Sequence, residues 1–243
     1  MIYYGVGLIV LAILAWVVWA VFFTTAPTCT DGKQDGTELG VDCGGSCALL
    51  CIDTAKDPTV LWARPFQTGQ SSYTVAAYIQ NTNPGAGAKN VAYSFQLFDA
   101  NNSLVIERDG VTSLPPVQTI PIIEPNINVG NRTVTHVQFA FSQTPPAVWH
   151  KVPSASVPPL HVTQQNLSAD ASRLGASVVN NNLSDVKNIT AVAVLFDSQG
   201  VARAASKSLV PLISAHSSVS VVFTWPGGTP DIVRAEITLL PSF

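Results

Sequence analysis

Charge is what this chain has least of. Only 11% of its 243 residues are charged, with 12 Lys plus Arg against 15 Asp plus Glu, for a formal net charge of −3. An average soluble domain carries about 25% charged residues. Without a basic surplus the chain is no nucleic-acid binder, because such a protein must neutralise phosphates. A hydrophobic fraction of 47% excludes intrinsic disorder. Too few charges are left to flank a coiled-coil seam. Signatures of catalysis are missing too. There is no Gly-x-Ser-x-Gly elbow. Gly227-Gly228 lacks the Lys that follows in a phosphate-binding loop. His136, His150, His161 and His216 are not at ligand spacing. The expectation is a protein that is not an enzyme, with no catalytic, cofactor-binding or metal-binding residues.

What is present begins with an apolar run. Residues 2–23 contain neither charge nor Pro. A helix of about 22 residues rises about 33 Å, enough for a bilayer core of about 30 Å. Tyr3 and Tyr4 lie at one end, and Trp16, Trp19, Phe22 and Phe23 toward the other, as interfacial aromatics do. The run is long for a cleaved signal peptide and has no basic segment before it. The sequence thus predicts a transmembrane anchor helix over 1–24. The protein would be single-pass at the cell membrane, with its C-terminal domains extracytoplasmic.

All four cysteines fall in the next segment, 25–57: Cys29, Cys43, Cys47 and Cys51. The segment is turn-rich, poor in apolar residues and acidic, with a net charge of −4 over 31–57. Such a segment cannot bury a core and is expected to be held by disulfides, which implies an oxidising compartment. Four cysteines allow three pairings. A thiolate metal site is the rival, although one lone Cys before three close ones does not match a zinc ribbon. Asp31, Asp35, Glu38 and Asp42 could hold calcium without the spacing of an EF-hand loop.

From 58 onward the pattern is short apolar or alternating runs between Gly, Pro, Asn, Asp and Ser clusters, which predicts antiparallel strands. Candidate strands are 60–63, 73–80, 91–98, 104–108, 134–141 and 148–152, then 160–163, 174–179, 189–196, 202–206, 218–225 and 232–239. The two halves repeat each other. Lys89-Asn90-Val91 matches Lys187-Asn188-Ile189, and Leu97-Phe98-Asp99 matches Leu195-Phe196-Asp197. A later match sets 137–141 against 221–225, which makes the Pro-rich stretch 115–130 an insertion in the first copy. Asp197-Ser198-Gln199-Gly200 fits a turn with Gly at positive φ, and Asn102 takes that place in the first copy. Each copy suits an immunoglobulin-like antiparallel β-sandwich. The fold class is therefore mainly β: an N-terminal helix, a disulfide-rich linker, and two tandem sandwiches over 58–153 and 154–243, joined near 152–159.

Two resemblances support this layout. The string from Cys29 to Cys51, with its Asp-Gly repeats and Asp42-Cys43-Gly44-Gly45, resembles a cysteine-rich element of secreted and surface-anchored prokaryotic proteins. Phe95-Gln96-Leu97-Phe98-Asp99 resembles the F-x-L-Y-D motif of a family of small bacterial immunoglobulin-like domains, with Phe98 in place of Tyr. In the second copy Ala193 also replaces the first Phe. The layout as a whole is similar to single-pass surface proteins of small-genome bacteria. The resemblance implies fold and extracytoplasmic placement, and brings no catalytic residues.

The expected function is that of a membrane-anchored, non-enzymatic surface protein whose sandwiches bind a partner or form a stalk. Trp62 and Trp149 near the domain edges, and Ile120, Ile122 and Ile123 in the Pro-rich stretch, are candidate contacts for an unknown protein or envelope partner. The alternative is a structural subunit of a filament or envelope complex that self-associates through the N-terminal helix. Five Asn-x-Ser/Thr triplets begin at Asn101, Asn131, Asn166, Asn182 and Asn188. They matter only where the host glycosylates.

Overall fold

The computed structural model describes residues 2–22, 28–116, 119–144, 146–153 and 159–241. The chain divides into two compact units, Met1–Cys51 and Ile52–Phe243.

The first unit holds α1 (Ile2–Phe22) and most of the cysteine segment. Among the described residues no helix is long and apolar enough to cross a membrane. This corrects the single-pass anchor and the cell-membrane placement built on it. A span needs about 20 consecutive apolar side chains. The finding concerns helices and says nothing of strands. The expected end of the anchor, at 23–24, lies outside the described residues, as does most of the expected linker, at 154–158.

The second unit is mainly β. Its first half contains β1 (Thr59–Gln67), β2 (Ser72–Gln80), β3 (Ala86–Phe98), β4 (Leu104–Leu114), β5 (Thr119–Asn128), β6 (His136–Phe141) and β7 (Trp149–Lys151). Its second half contains β8 (Leu160–Leu167), β9 (Arg173–Asn180), β10 (Val186–Asp197), β11 (Ala202–Ile213), β12 (Ser217–Thr224) and β13 (Ile232–Leu240). The sheets run β1-β2-β5 and β4-β3-β6 in the first half, with β7 also on β3. In the second half they run β8-β9-β12 and β11-β10-β13. The strand pairs are antiparallel.

Side-chain alternation builds each core. In β3, Tyr93, Phe95 and Leu97 are buried while Ser94 and Gln96 are not. In β9, Leu174, Ala176, Val178 and Asn180 are buried in the same rhythm. The second half closes over one cluster in which Leu174 and Val178 meet Ile189, Leu195, Phe223 and Trp225.

The 115–130 stretch is not an insertion. Most of it is β5, which pairs with β2 as β12 pairs with β9. Likewise β6 pairs with β3 as β13 pairs with β10. The counterpart of β12 is therefore β5, which corrects the match between 137–141 and 221–225. The Asn matches do hold in three dimensions. Asn90 and Asn188 both take positive φ, at 55° and 53°, and Asn102 (57°) stands where Gly200 (75°) does.

The two central strands β2 and β10 are buried on both faces over most of their length. Their second faces meet each other. Phe66, Ala76, Tyr78 and Ile123 from one sheet pack with Val192, Val194, Phe196, Ala202 and Ala205 from the other. Two sheet pairs are thus joined back to back along an apolar seam, and small Ala side chains let the sheets approach closely.

Candidate functional site

The cysteine segment is closed by two disulfides, Cys29–Cys47 and Cys43–Cys51. Its carboxylates hold main-chain N–H groups. Glu38 Oε2 accepts from the N–H groups of Asp35 (3.4 Å) and Asp42 (3.1 Å), Asp42 accepts from Gly32 (3.0 Å), and Asp31 accepts from Lys33 (2.9 Å). Gly45 is required here. Its φ is +52°, and an added Cβ would lie 1.7 Å from the Thr37 carbonyl oxygen. Burial, then the nearby Asp31 and Glu38, push the Asp35 carboxyl above its ordinary value. One oxygen of Asp35, Oδ1, has no hydrogen-bond partner among the described residues. Among those residues one group of three potential ligand atoms converges within 4.8 Å: Cys29, Glu38 and Cys47. Two of these sulfurs are joined to each other, so they offer no thiolate to a metal. The four acids expected to hold calcium form no such group among the described residues.

The expected partner contacts divide differently. Ile120 is fully buried and Ile122 and Ile123 nearly so, at 4% exposure each. Pro-rich β5 packs these side chains inward, and Ile123 belongs to the seam. Trp149 is buried beside β3, opposite Ala88. Trp62 is half-buried at the seam, its ring stacked on Tyr78 at 4.6 Å between centroids. The structure therefore does not gather these five side chains onto one surface.

It gathers instead a set of groups along the seam. Tyr78 donates its hydroxyl to Glu236 Oε2 at 3.2 Å. Arg234 pairs with Glu236 and lies over the Phe196 ring, 4.1 Å from its centroid. Lys207 Nζ donates to the Ile123 carbonyl at 2.9 Å. Tyr93 donates to Glu124 at 2.5 Å. Burial first, then the neighbouring Glu236 carboxylate, raise the Tyr78 phenol above its ordinary 10.0. Burial and the bond to Glu124 do the same for Tyr93. A cleft of about 330 Å³ opens beside these groups, lined by Tyr93, Glu124, Lys207 and Asn188 among others. Sequence reasoning missed the seam. The available signal was Thr74-Ala76-Tyr78, the second face of β2, which is small or aromatic where a solvent-facing strand would be charged.

Two buried amides and two turn carboxylates complete the frame. Asn81 Nδ2 donates to the carbonyls of Ala86 and Pro115, and Asn180 Nδ2 donates to those of Ser184, Ile213 and Ser214. Asp99 Oδ1 accepts from Asn101 and Ser103, and Asp197 Oδ1 from Gln199 and Val201. Arg132 closes on Asp99 and Arg203 on Asp197, each at 2.7 Å.

No family model matches the chain, and no curated protein does. Among solved structures the chain is similar to the crystal structure of red sea bream transglutaminase, with 12% identity and a TM-score of 0.24. That similarity covers 76% of this chain and 29% of the transglutaminase chain. A likeness this weak supports no statement about activity.

Proposed function

We propose that this protein is a non-enzymatic binding or adhesion module of an oxidising compartment. In this reading its two sheet pairs are immunoglobulin-like sandwiches working as one body. The seam carries the proposal. Burying Tyr78, Phe66, Ile123 and Phe196 between the halves favours a single recognition body over two articulated stalk segments. The disulfides support the compartment, because such bonds persist where thiols are not kept reduced. The polar groups of the turns cap main-chain N–H groups, as scaffold residues do. Saturable binding of the labelled full-length chain to intact cells of its source tests this. An isotherm competed by unlabelled chain supports the reading, and non-saturable binding removes it.

A second reading is favoured by one observation on α1. Its side chains Ile9, Leu11, Ile13, Leu14, Trp16, Val17 and Val18 are all exposed, by 42% to 66%. A helix apolar around its whole circumference needs cover, and the helix of a second copy supplies it. The protein would then be a subunit that assembles through α1. Sedimentation in mild detergent separates the readings. A stable oligomer dispersed by Leu14→Asp supports assembly, and a monodisperse monomer counts against it.

A further inference from the structure

The proposed binding role uses none of the five Asn-x-Ser/Thr triplets. N-linked transfer needs a side-chain amide open to solvent and a triplet that can leave its local hydrogen bonds. Exposed loop tips meet both needs at the least cost. Three of the triplets are held against it. Asn166 lies within β8, opposite Gly175 in the ladder. Asn182 Nδ2 is occupied, donating to Asn180 Oδ1 at 2.8 Å. Asn188 lies within β10, where Ile189 is fully buried and Thr190 is paired with strands on both sides.

Asn101 and Asn131 differ from these. Asn166 and Asn188 are exposed too, but within strands, whereas Asn101 and Asn131 are exposed in turns, between β3 and β4 and between β5 and β6. Neither side chain makes a hydrogen bond among the described residues. Their two loops are clamped together by Arg132, the middle residue of the second triplet. It donates to Asp99 Oδ2 and to the Leu104 carbonyl, each at 2.7 Å, and so brackets the first triplet. The matching turn of the second half, Asp197-Ser198-Gln199-Gly200, has Gln199 in place of Asn101 and offers no acceptor.

The geometry points to Asn101 and Asn131 as a paired N-glycosylation site at one end of the first sheet pair. The donor is an oligosaccharide linked through pyrophosphate to a polyprenyl lipid. Transfer breaks the bond from sugar C1 to the phosphate oxygen and forms a bond from C1 to Asn Nδ2. The amide proton and the lipid pyrophosphate leave. This inference rests on the oxidising-compartment placement proposed above.

The test is glycopeptide mapping by mass spectrometry of the full chain purified from its own cells, with a thiol assay on the same material. The expected result is saccharide on peptides containing Asn101 and Asn131, and bare peptides at Asn166, Asn182 and Asn188. Ser103→Ala and Thr133→Ala should each remove one adduct while leaving its Asn in place. Bare Asn101 and Asn131 with intact disulfides overturn the assignment alone. Bare sites with free thiols overturn the compartment as well. Equal occupancy at all five triplets overturns the structural selection.

Discussion

Tyr78 and Glu236 are 158 residues apart in sequence, yet the Tyr78 hydroxyl donates to Glu236 Oε2 at 3.2 Å across the seam. This bond sits at the margin of an apolar contact, with Trp62 stacked on one side of Tyr78 and Phe196 meeting its edge at 6.3 Å. Packing therefore holds the seam, and the hydrogen bond orients it.

Phe196→Ala removes a 5%-exposed ring from that seam and is expected to cost about 3–5 kcal/mol. Tyr78→Phe keeps the ring and is expected to cost about 1 kcal/mol. Urea denaturation of the full chain checks both. The decisive feature is the transition of the second unit, which should stay single when followed by intrinsic fluorescence. A split into two transitions in the wild-type chain would show that the halves fold independently.

Asp99 and Asp197 set an acid limit on stability. The Arg132 bond, then the Ser103 N–H, hold Asp99 below its ordinary 3.8. The Val201 N–H, followed by Arg203, does the same for Asp197. A carboxylate with a depressed folded pKa adds stability above its unfolded value and loses it as pH falls through the folded one. Stability should therefore fall below the ordinary value of 3.8, and Asp197→Asn should flatten part of that slope. An unchanged slope in the variant would sink the assignment.

The cysteine segment should unfold on reduction. Cys29–Cys47 closes a loop of 18 residues in sequence, which corresponds to about 3 kcal/mol of loop-closure entropy. Few apolar groups remain to hold the segment once both bonds are gone. Hydrogen exchange with and without reductant should show protection lost over 29–51 and retained in β2 and β10. Protection that survives reduction would mean another interaction holds the segment.

Asn102 and Gly200 test the equivalence of the two turns. Both have positive φ, at 57° and 75°. Asn102→Gly should be tolerated, whereas Asn102→Val and Gly200→Val should each cost about 1–2 kcal/mol through left-handed strain. Thermal melts of the three variants check this. Equal melting of Asn102→Gly and Asn102→Val would remove the conformational argument.

Much of the strand layout is legible in the sequence, because Tyr93-Phe95-Leu97 and the runs 73–80 and 189–196 carry their own period. The turn after Asp99 is legible for a similar reason, since Asp, Asn and Gly there answer a local demand for main-chain acceptors and positive φ. β5 is hidden by Pro121 and Pro125, which read as strand breakers. They are tolerated because β5 is an edge strand, bonded along one side to β2. The false match between β6 and β12 has a related origin. Alternating Val and Phe residues look alike wherever one strand face is buried. The seam leaves the weakest trace, because Ala76 and Ala205 contribute by being small.

The shared seam also has a consequence during synthesis. When β7 is complete at Lys151, the first sheet pair has its full set of strands, but Phe66, Tyr78 and Ile123 still await β10 and β11. With about 5–20 residues added per second, the 62 residues from Lys151 to Ile213 keep β11 from finishing for about 3–12 s. Over that interval the nascent chain presents an aromatic sheet face to its surroundings. That makes the half-made protein, rather than the finished one, the form in greatest need of a chaperone.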